Sequence, residues 1–509
     1  MNYLAVTSII YIFANGKPQL DTFMKQFFKY VFASFVGTLL FSIIMGCFAF
    51  ITIIGMIAST QTTNEIKDNS VLVLNLSGQL TERSEDNNII SQLQGKIGTI
   101  GLDNLLSAID KAKNNKNIKG IYIEAGAFTA DSYASLQAVR NTLVDFKKSG
   151  KWIITYADIY TQGTYYLSSS ANKVYLNPQG QIDWHGLSSQ PVFVKDLLKK
   201  FGVKMQVMKV GTYKSATEMF TGDKMSDANR EQTSAYLNSI WGTITKDVSA
   251  TRHISVSSLN VYADSMITFA APTDYLKYKL VDGLLYTDQV KAVVKKQLGL
   301  DKDDDINQVS IDDMQGVEDE ENDNSDNQIA VYYAYGDIVD GAAGGLFAQG
   351  HTIDAQVVCK DLEKLTNDKD VKAVVLRINS GGGSAYASEQ IWHHIMELKK
   401  QKPVVVSMGG MAASGAYYIS APSNWIVAEP TTLTGSIGIF GMFPDFSGLL
   451  TEKLGIKFDE VKTNKFSGFG TQARPFSEEE MAYLNQYINR GYKLFRHRVA
   501  EGRKKTDNQ

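Results

Sequence analysis

Two long stretches of this sequence are copies of one another, about 252 positions apart, so the chain must build one architecture twice. Lys116-Asn-Ile-Lys-Gly-Ile-Tyr-Ile123 returns as Lys369-Asp-Val-Lys-Ala-Val-Val-Leu376, and Lys151-Trp-Ile-Ile-Thr-Tyr156 as Lys402-Pro-Val-Val-Val-Ser407. Gly163-Thr-Tyr-Tyr-Leu-Ser168 and Gly415-Ala-Tyr-Tyr-Ile-Ser420 lie 252 positions apart, as do Pro178 and Pro430. Phe201-Gly-Val-Lys204 and Leu454-Gly-Ile-Lys457 lie 253 apart. Each copy alternates short β-branched runs with amphipathic segments. In the second, Ala373 to Ile378 reads as a strand, Ala385 to Lys400 as a helix and Pro403 to Ser407 as the next strand. That alternation predicts an α/β fold with parallel sheets and crossover helices.

The first repeat is expected over 65–300 and the second over 328–509, joined by an acidic linker at 301–327. The linker holds twelve Asp and Glu against one Lys, so the chain's net charge of −3 conceals 50 basic and 42 acidic residues elsewhere. That balance gives no reason to expect a nucleic-acid partner. The first repeat runs to about Leu298, whereas Gln509 corresponds to about position 257 of it, so the second is expected to stop short.

No charge occurs between Lys29 and Glu65, and 31–58 is almost continuously apolar. This is longer than the ~20 residues a membrane-spanning helix needs and than the h-region of a cleaved signal peptide, so an uncleaved anchor is expected. Lys25 and Lys29 precede it, which puts residues 1–30 in the cytoplasm and the chain after about Ser59 outside. The run from Met24 resembles the opening of an anchor sequence, and Met24 is expected to be the initiator. Cys47 and Cys359 lie in unlike surroundings and predict no disulfide; Cys359 reads as a packed thiol on an amphipathic helix.

Three small-residue loops in the second repeat are candidates for chemistry: Asn379-Ser-Gly-Gly-Gly-Ser384, Met411-Ala-Ala-Ser-Gly-Ala-Tyr417 and Leu433-Thr-Gly-Ser-Ile-Gly438. The first offers backbone N–H groups to a phosphate or an oxyanion, but it lacks the Lys-Ser/Thr of a P-loop, and glycine clusters also form plain turns. Ser414 or Ser436 is a candidate nucleophile; equally, small residues allow helices to pack closely.

The differences between the repeats favour chemistry. Ser414 corresponds to Gln162 and Ser436 to Trp184, while Lys214 corresponds to Ser467. Each repeat lacks what the other holds, so facing repeats would unite Lys214 with Ser414 and Ser436 in one composite site. A serine hydroxyl needs a base, and a lysine serves when its pKa falls from ~10.4 towards neutrality. None of the six histidines lies in a triad context, and no metal-binding pattern appears, so neither metal nor cofactor is expected.

Through Gly211-Thr-Tyr-Lys-Ser-Ala216, Met411 to Ser420 and Leu433 to Gly441, the chain resembles the long, duplicated form of bacterial signal peptide peptidase A. Those are membrane-anchored serine proteases related to the Clp protease proteolytic subunit and to the crotonase fold. The resemblance implies a tandem Clp protease/crotonase-like α/β fold, with Ser414 as nucleophile, Lys214 as general base and Ser436 orienting the lysine. It also implies Gly382 and Gly415 as oxyanion donors, although Gly381 replaces the usual proline of the glycine loop. The implied substrates are signal peptide remnants and other hydrophobic peptides, cleaved outside the inner membrane by a bowl-shaped homotetramer. Acyl-CoA chemistry on a crotonase-like fold and an inactive anchored scaffold are the competing readings.

Overall fold

The structure is a computed structural model that describes residues 26–48, 50–52, 66–84, 98–317, 327–341 and 351–508. It divides into two units, 1–65 and 66–509. In the first, helix α1 (Gln26–Thr52) has 27 residues and contains an 18-residue stretch of mean hydropathy 2.2, long and apolar enough to cross a membrane. The hydroxyls of Thr38, Ser42 and Thr52 each donate to the carbonyl four residues back, so these three polar groups are satisfied within the helix itself. The helix starts before the expected apolar run, and Lys29 is within its first turn, where a long side chain can reach the membrane surface. Met24 and residues 53–58 lie outside the described residues.

The second unit holds both repeats. The first builds a parallel seven-stranded sheet from β1 (Ser70–Thr81), β2 (Thr99–Gly101), β3 (Ile118–Ala130), β4 (Trp152–Tyr160), β5 (Lys173–Ile182), β7 (Gly283–Leu284) and β8 (Asn307–Val309). The spatial order is β2-β1-β3-β4-β5-β7, and β8 also pairs with β1. The second repeat has β9 (Gln328–Tyr335), β12 (Val371–Ser380), β13 (Val404–Ala413), β14 (Trp425–Val427) and β15 (Leu433–Gly435). Their order is β14-β13-β12-β9, and β15 pairs with the end of β13. A further parallel pair joins β10 (Asp337–Val339) to β11 (Thr352–Asp354). The central strands are rich in Val and Ile because helices cover parallel sheets on both faces.

The helices repeat with the sequence. α2 (Leu102–Asn114) and α7 (Ala355–Asn367) each have 13 residues. α3 (Tyr133–Lys147) corresponds to α8 (Ala385–Gln401), capped by Ser132 and Ser384 at equivalent positions. α4 (Gln162–Ser168) corresponds to α9 (Gly415–Ser420). α5 (Asp227–Arg252) and α10 (Glu478–Arg503) each have 26 residues, capped by Ser226 and Ser477. Each repeat buries its own core, around Leu72, Ile121 and Phe146 in the first and Val374, Ile391 and Val406 in the second.

The acidic tract 301–327 is not wholly a linker. Its first part forms β8, in register with Ser70 to Leu72, and helix α6 (Ile311–Gln315), where Met314 is completely buried. The first repeat therefore reaches Val317 instead of residue 300. Val309 and Met314 sit among acidic residues that face solvent, and those two apolar anchors suffice to fix the strand and helix. Residues 318–326 lie outside the described residues.

Candidate active site

One strand pair bridges the two repeats, beside side-chain contacts such as Arg377–Glu82 and Asn379–Asp131. β6 (Lys204–Lys209) of the first pairs antiparallel with β16 (Phe440–Asp445) of the second, from Lys204 opposite Asp445 to Lys209 opposite Phe440. Val210 N–H donates to the Ile439 carbonyl at 3.3 Å, extending the contact towards the loops on each side. Lys214 follows the end of β6 and Ser436 precedes the start of β16, so the pairing that joins the repeats also sets these two side chains facing each other.

Ser414 arrives from a third direction, at the junction of β13 and α9. It adopts φ 53° and ψ −118°, a left-handed conformation uncommon outside glycine, and such residues cost on the order of 1–3 kcal/mol. The turn is held on both sides: Ser414 N–H donates to the Gly435 carbonyl at 2.9 Å, and Tyr418 N–H donates to the Ser414 carbonyl at 2.9 Å. β15 lies along Met411 to Ala413, and Ser436, also at positive φ, follows it directly.

The three side chains meet. Lys214 Nζ donates to Ser414 Oγ at 2.9 Å and to Ser436 Oγ at 3.0 Å, with the Ser436 carbonyl at 3.5 Å. Lys214 is only 6% exposed, and no acidic side chain forms an ion pair with it among the described residues. Burial without a counter-charge pushes its pKa down to about 8 from the ordinary 10.5. About a tenth of the lysine is then neutral at pH 7, enough to act as a proton acceptor.

Gly415, the first residue of α9, presents its backbone N–H beside Ser414. Gly382 lies against it at φ 97°, where a Cβ would come within 2.6 Å of Gly415 N and 2.9 Å of Ser414 Cβ, so only glycine fits. The Gly382 N–H is not free, however; it donates to Ser380 Oγ at 3.0 Å. Ser380 is buried, and its hydroxyl folds back onto the backbone two residues on. As an oxyanion donor Gly382 is thus engaged in this arrangement.

The equivalent positions of the first repeat are filled for structural ends. Gln162 Oε1 accepts from the N–H groups of His185 and Gly186, and its Nε2 donates to Tyr133 Oη. Trp184 is fully buried, with Nε1 donating to the Leu259 carbonyl. Ser467, in the place of Lys214, accepts from Asn464 N–H within its own loop. His185 pairs with Asp183, and His351 bonds the Tyr335 carbonyl. Cys359 is half-buried against the second core, which pushes its thiol pKa up. Sequence reasoning missed the β6–β16 pair, since two short strands remote in the chain carry no mark of being partners.

The Peptidase family S49 model matches residues 145–301 and again 396–509, one segment in each repeat and 251 positions apart at their starts. A Clp protease model matches residues 344–425, which take in the glycine loop and Ser414. Protease 4 of Salmonella typhi is 35% identical over 509 residues, spanning 96% of this chain and 80% of its own. Protease 4 of Haemophilus influenzae is 34% identical over 480 residues, 90% of this chain and 76% of its own. The chloroplastic serine protease SPPA of Arabidopsis thaliana is 29% identical over 448 residues, 86% and 63% of the two chains. With the family model matched in both repeats and a relative followed along most of its length, this chain belongs to peptidase family S49.

Proposed function

We propose that Ser414, Lys214 and Ser436 form the catalytic centre of a serine endopeptidase that cleaves hydrophobic peptides, signal peptide remnants among them. The observation that carries this is the 2.9 Å contact between Ser414 Oγ and a buried lysine supplied by the other repeat. Neutral Lys214 takes the Ser414 proton as Oγ attacks the scissile carbonyl, and Ser436 Oγ keeps the amine aimed at it. The Gly415 N–H receives the developing oxyanion, joined by the Gly382 N–H once the Ser380 hydroxyl turns away. Lys214 returns the proton to the leaving amine, and water then releases the acyl group by the same route. A fluorophosphonate probe should label the full chain, and Ser414→Ala and Lys214→Ala should abolish both labelling and peptide cleavage. Cleavage retained by either variant would refute the pair; a wild type that takes no label would revive the acyl-CoA or scaffold readings.

The proposed setting is the outer face of a bacterial inner membrane, with α1 as a single-pass anchor and Lys25 and Lys29 on the cytoplasmic side. A homotetramer is the proposed assembly. Residues 457–462 and 188–193 correspond by the repeat offset to β6 and β16, yet neither is a strand, and Val461, Phe458 and Val192 are exposed. Pairing between copies, as β6 pairs with β16 within one, would join chains head to tail, and with a quarter-turn between neighbours such contacts close into a ring of four. Val461→Asp should reduce the mass measured by light scattering to that of one chain; an unchanged mass rules this pairing out.

A further inference from the structure

We propose that Asn379 is a positioning residue that sets the glycine loop against the nucleophile strand, and that Asp131 of the first repeat holds it in place. The proposal rests on the reading of Ser414 as nucleophile.

β12 and β13 run in regular register as far as Ile378 opposite Met408, and then jump to Ser380 opposite Ala412. Two extra residues on β13 bulge out opposite Asn379, which costs Met411 its partner on β12 while it stays paired with Leu433 on the other side. The Asn379 side chain replaces it: Oδ1 accepts from Met411 N–H at 3.0 Å. Its carbonyl accepts from Gly336 N–H at 3.1 Å, and its Nδ2 donates to Asp131 Oδ2 at 2.7 Å. One residue thus binds the strand leading to Ser414, the turn after β9 and the opposite repeat, immediately ahead of the glycine loop.

The bulge is pressed onto the first repeat. A Cβ on Gly410 would lie 2.3 Å from Ser132 Cβ, beside Asp131. Asp131 corresponds to Gly383 at the 252-residue offset. The first repeat's version of the glycine loop therefore bears, where the second has a glycine, the carboxylate that grips the working loop. Arg377 adds a second tie two residues earlier, bidentate to Glu82 at 2.9 and 3.0 Å, but it sits farther from the loop.

The Asn379 amide ties the loop strand to the nucleophile strand at the edge of the glycine loop, whereas Arg377, donating to Ser407 Oγ and the Met408 carbonyl, ties the same two strands farther back. A small rotation of the Asn379 amide shifts the glycine-loop N–H groups relative to Ser414 while leaving the cores untouched. Its loss should therefore appear in kcat, where oxyanion geometry acts, and little in KM or in melting temperature.

The test uses the full-length protein in detergent with a fluorogenic hydrophobic peptide. Asn379→Asp keeps the acceptor for Met411 N–H, removes the donor and sets a carboxylate against Asp131. It should lower kcat about tenfold or more, with KM within about twofold. Adding Asp131→Asn restores a donor with the direction reversed, and kcat should return to within about threefold of wild type. Asp131→Ala alone, a change at an exposed position that should not disturb folding, should lower kcat about fivefold at an unchanged melting temperature. Wild-type kcat in both Asn379→Asp and Asp131→Ala, or a double variant no better than Asn379→Asp, overturns the proposal. Ser414→Ala, run alongside, separates the two levels: its activity tests the nucleophile, whereas the other variants test only the brace.

Discussion

An ammonium buried without a carboxylate partner costs the folded chain stability and gives it a base. For Lys214 the fall from 10.5 to about 8 corresponds to about 3 kcal/mol. Because the folded-state pKa is the lower one, the folded chain binds fewer protons than the unfolded chain between these two values, and stability rises with pH there. Lys214→Met should therefore stabilise the protein by up to about 3 kcal/mol below pH 8, a gain that disappears as pH climbs from about 8 to 10.5. Denaturant unfolding at several pH values measures it. With Lys214 as the proposed base, the same pKa governs turnover in the opposite sense: kcat/KM should rise as pH approaches about 8, then level off as the amine becomes neutral. A profile flat from pH 6 to 9 would remove Lys214 from the role of base. Lys214, Ser414 and Ser436 were legible in the sequence because each repeat lacks what the other keeps. The engaged Gly382 amide and the Asn379 bridge were not, since a hydrogen bond between a strand end and a remote loop leaves no periodicity to read.

At the scale of elements, the two repeats solve one packing problem with opposite charges. In the first, Arg140 on α3 lies over the Tyr166 ring of α4, and the Tyr166 hydroxyl donates to Asp247 on α5. In the second, the carboxylate is on α8 and the guanidinium on the long helix. Arg498 of α10 binds Glu389 at 2.6 Å and stacks 3.5 Å from the Trp392 ring, while the Tyr418 hydroxyl donates to Glu389. Tyr418 is one helical turn beyond Ser414, so this clamp anchors the helix that follows Ser414. Arg498→Ala should cost about 1–3 kcal/mol by leaving Glu389 without a counter-charge and with only the Tyr418 hydroxyl, lowering the melting temperature by several degrees. The helix read over Ala385 to Lys400 is α8, which buries Ala387, Ile391, Ile395 and Leu398 along one face and so carries the helical period in its sequence. The acidic tract misled because composition averages over Val309 and Met314, the residues that decide its structure.

The whole second unit is two cores joined at β6–β16 and at the contacts around Asp131 and Glu82. The repeats expressed separately should each fold, yet neither should take a fluorophosphonate label alone. Labelling should return on mixing, in proportion to the complex formed. Label on the isolated second repeat would show that Ser414 has another base. The duplication was visible in the sequence, whereas the direction in which the repeats face each other depends on a few contacts distant in the chain. Distance along the chain has its own consequence. Lys214 and Ser414 are 200 residues apart, and ribosomes add about 5–20 residues per second, so the proposed base is made some 10–40 seconds before the proposed nucleophile. With the proposed pair at work, the growing polypeptide would be inert towards its neighbours and towards itself throughout that interval, and competence would arrive only when the second repeat has closed upon the first.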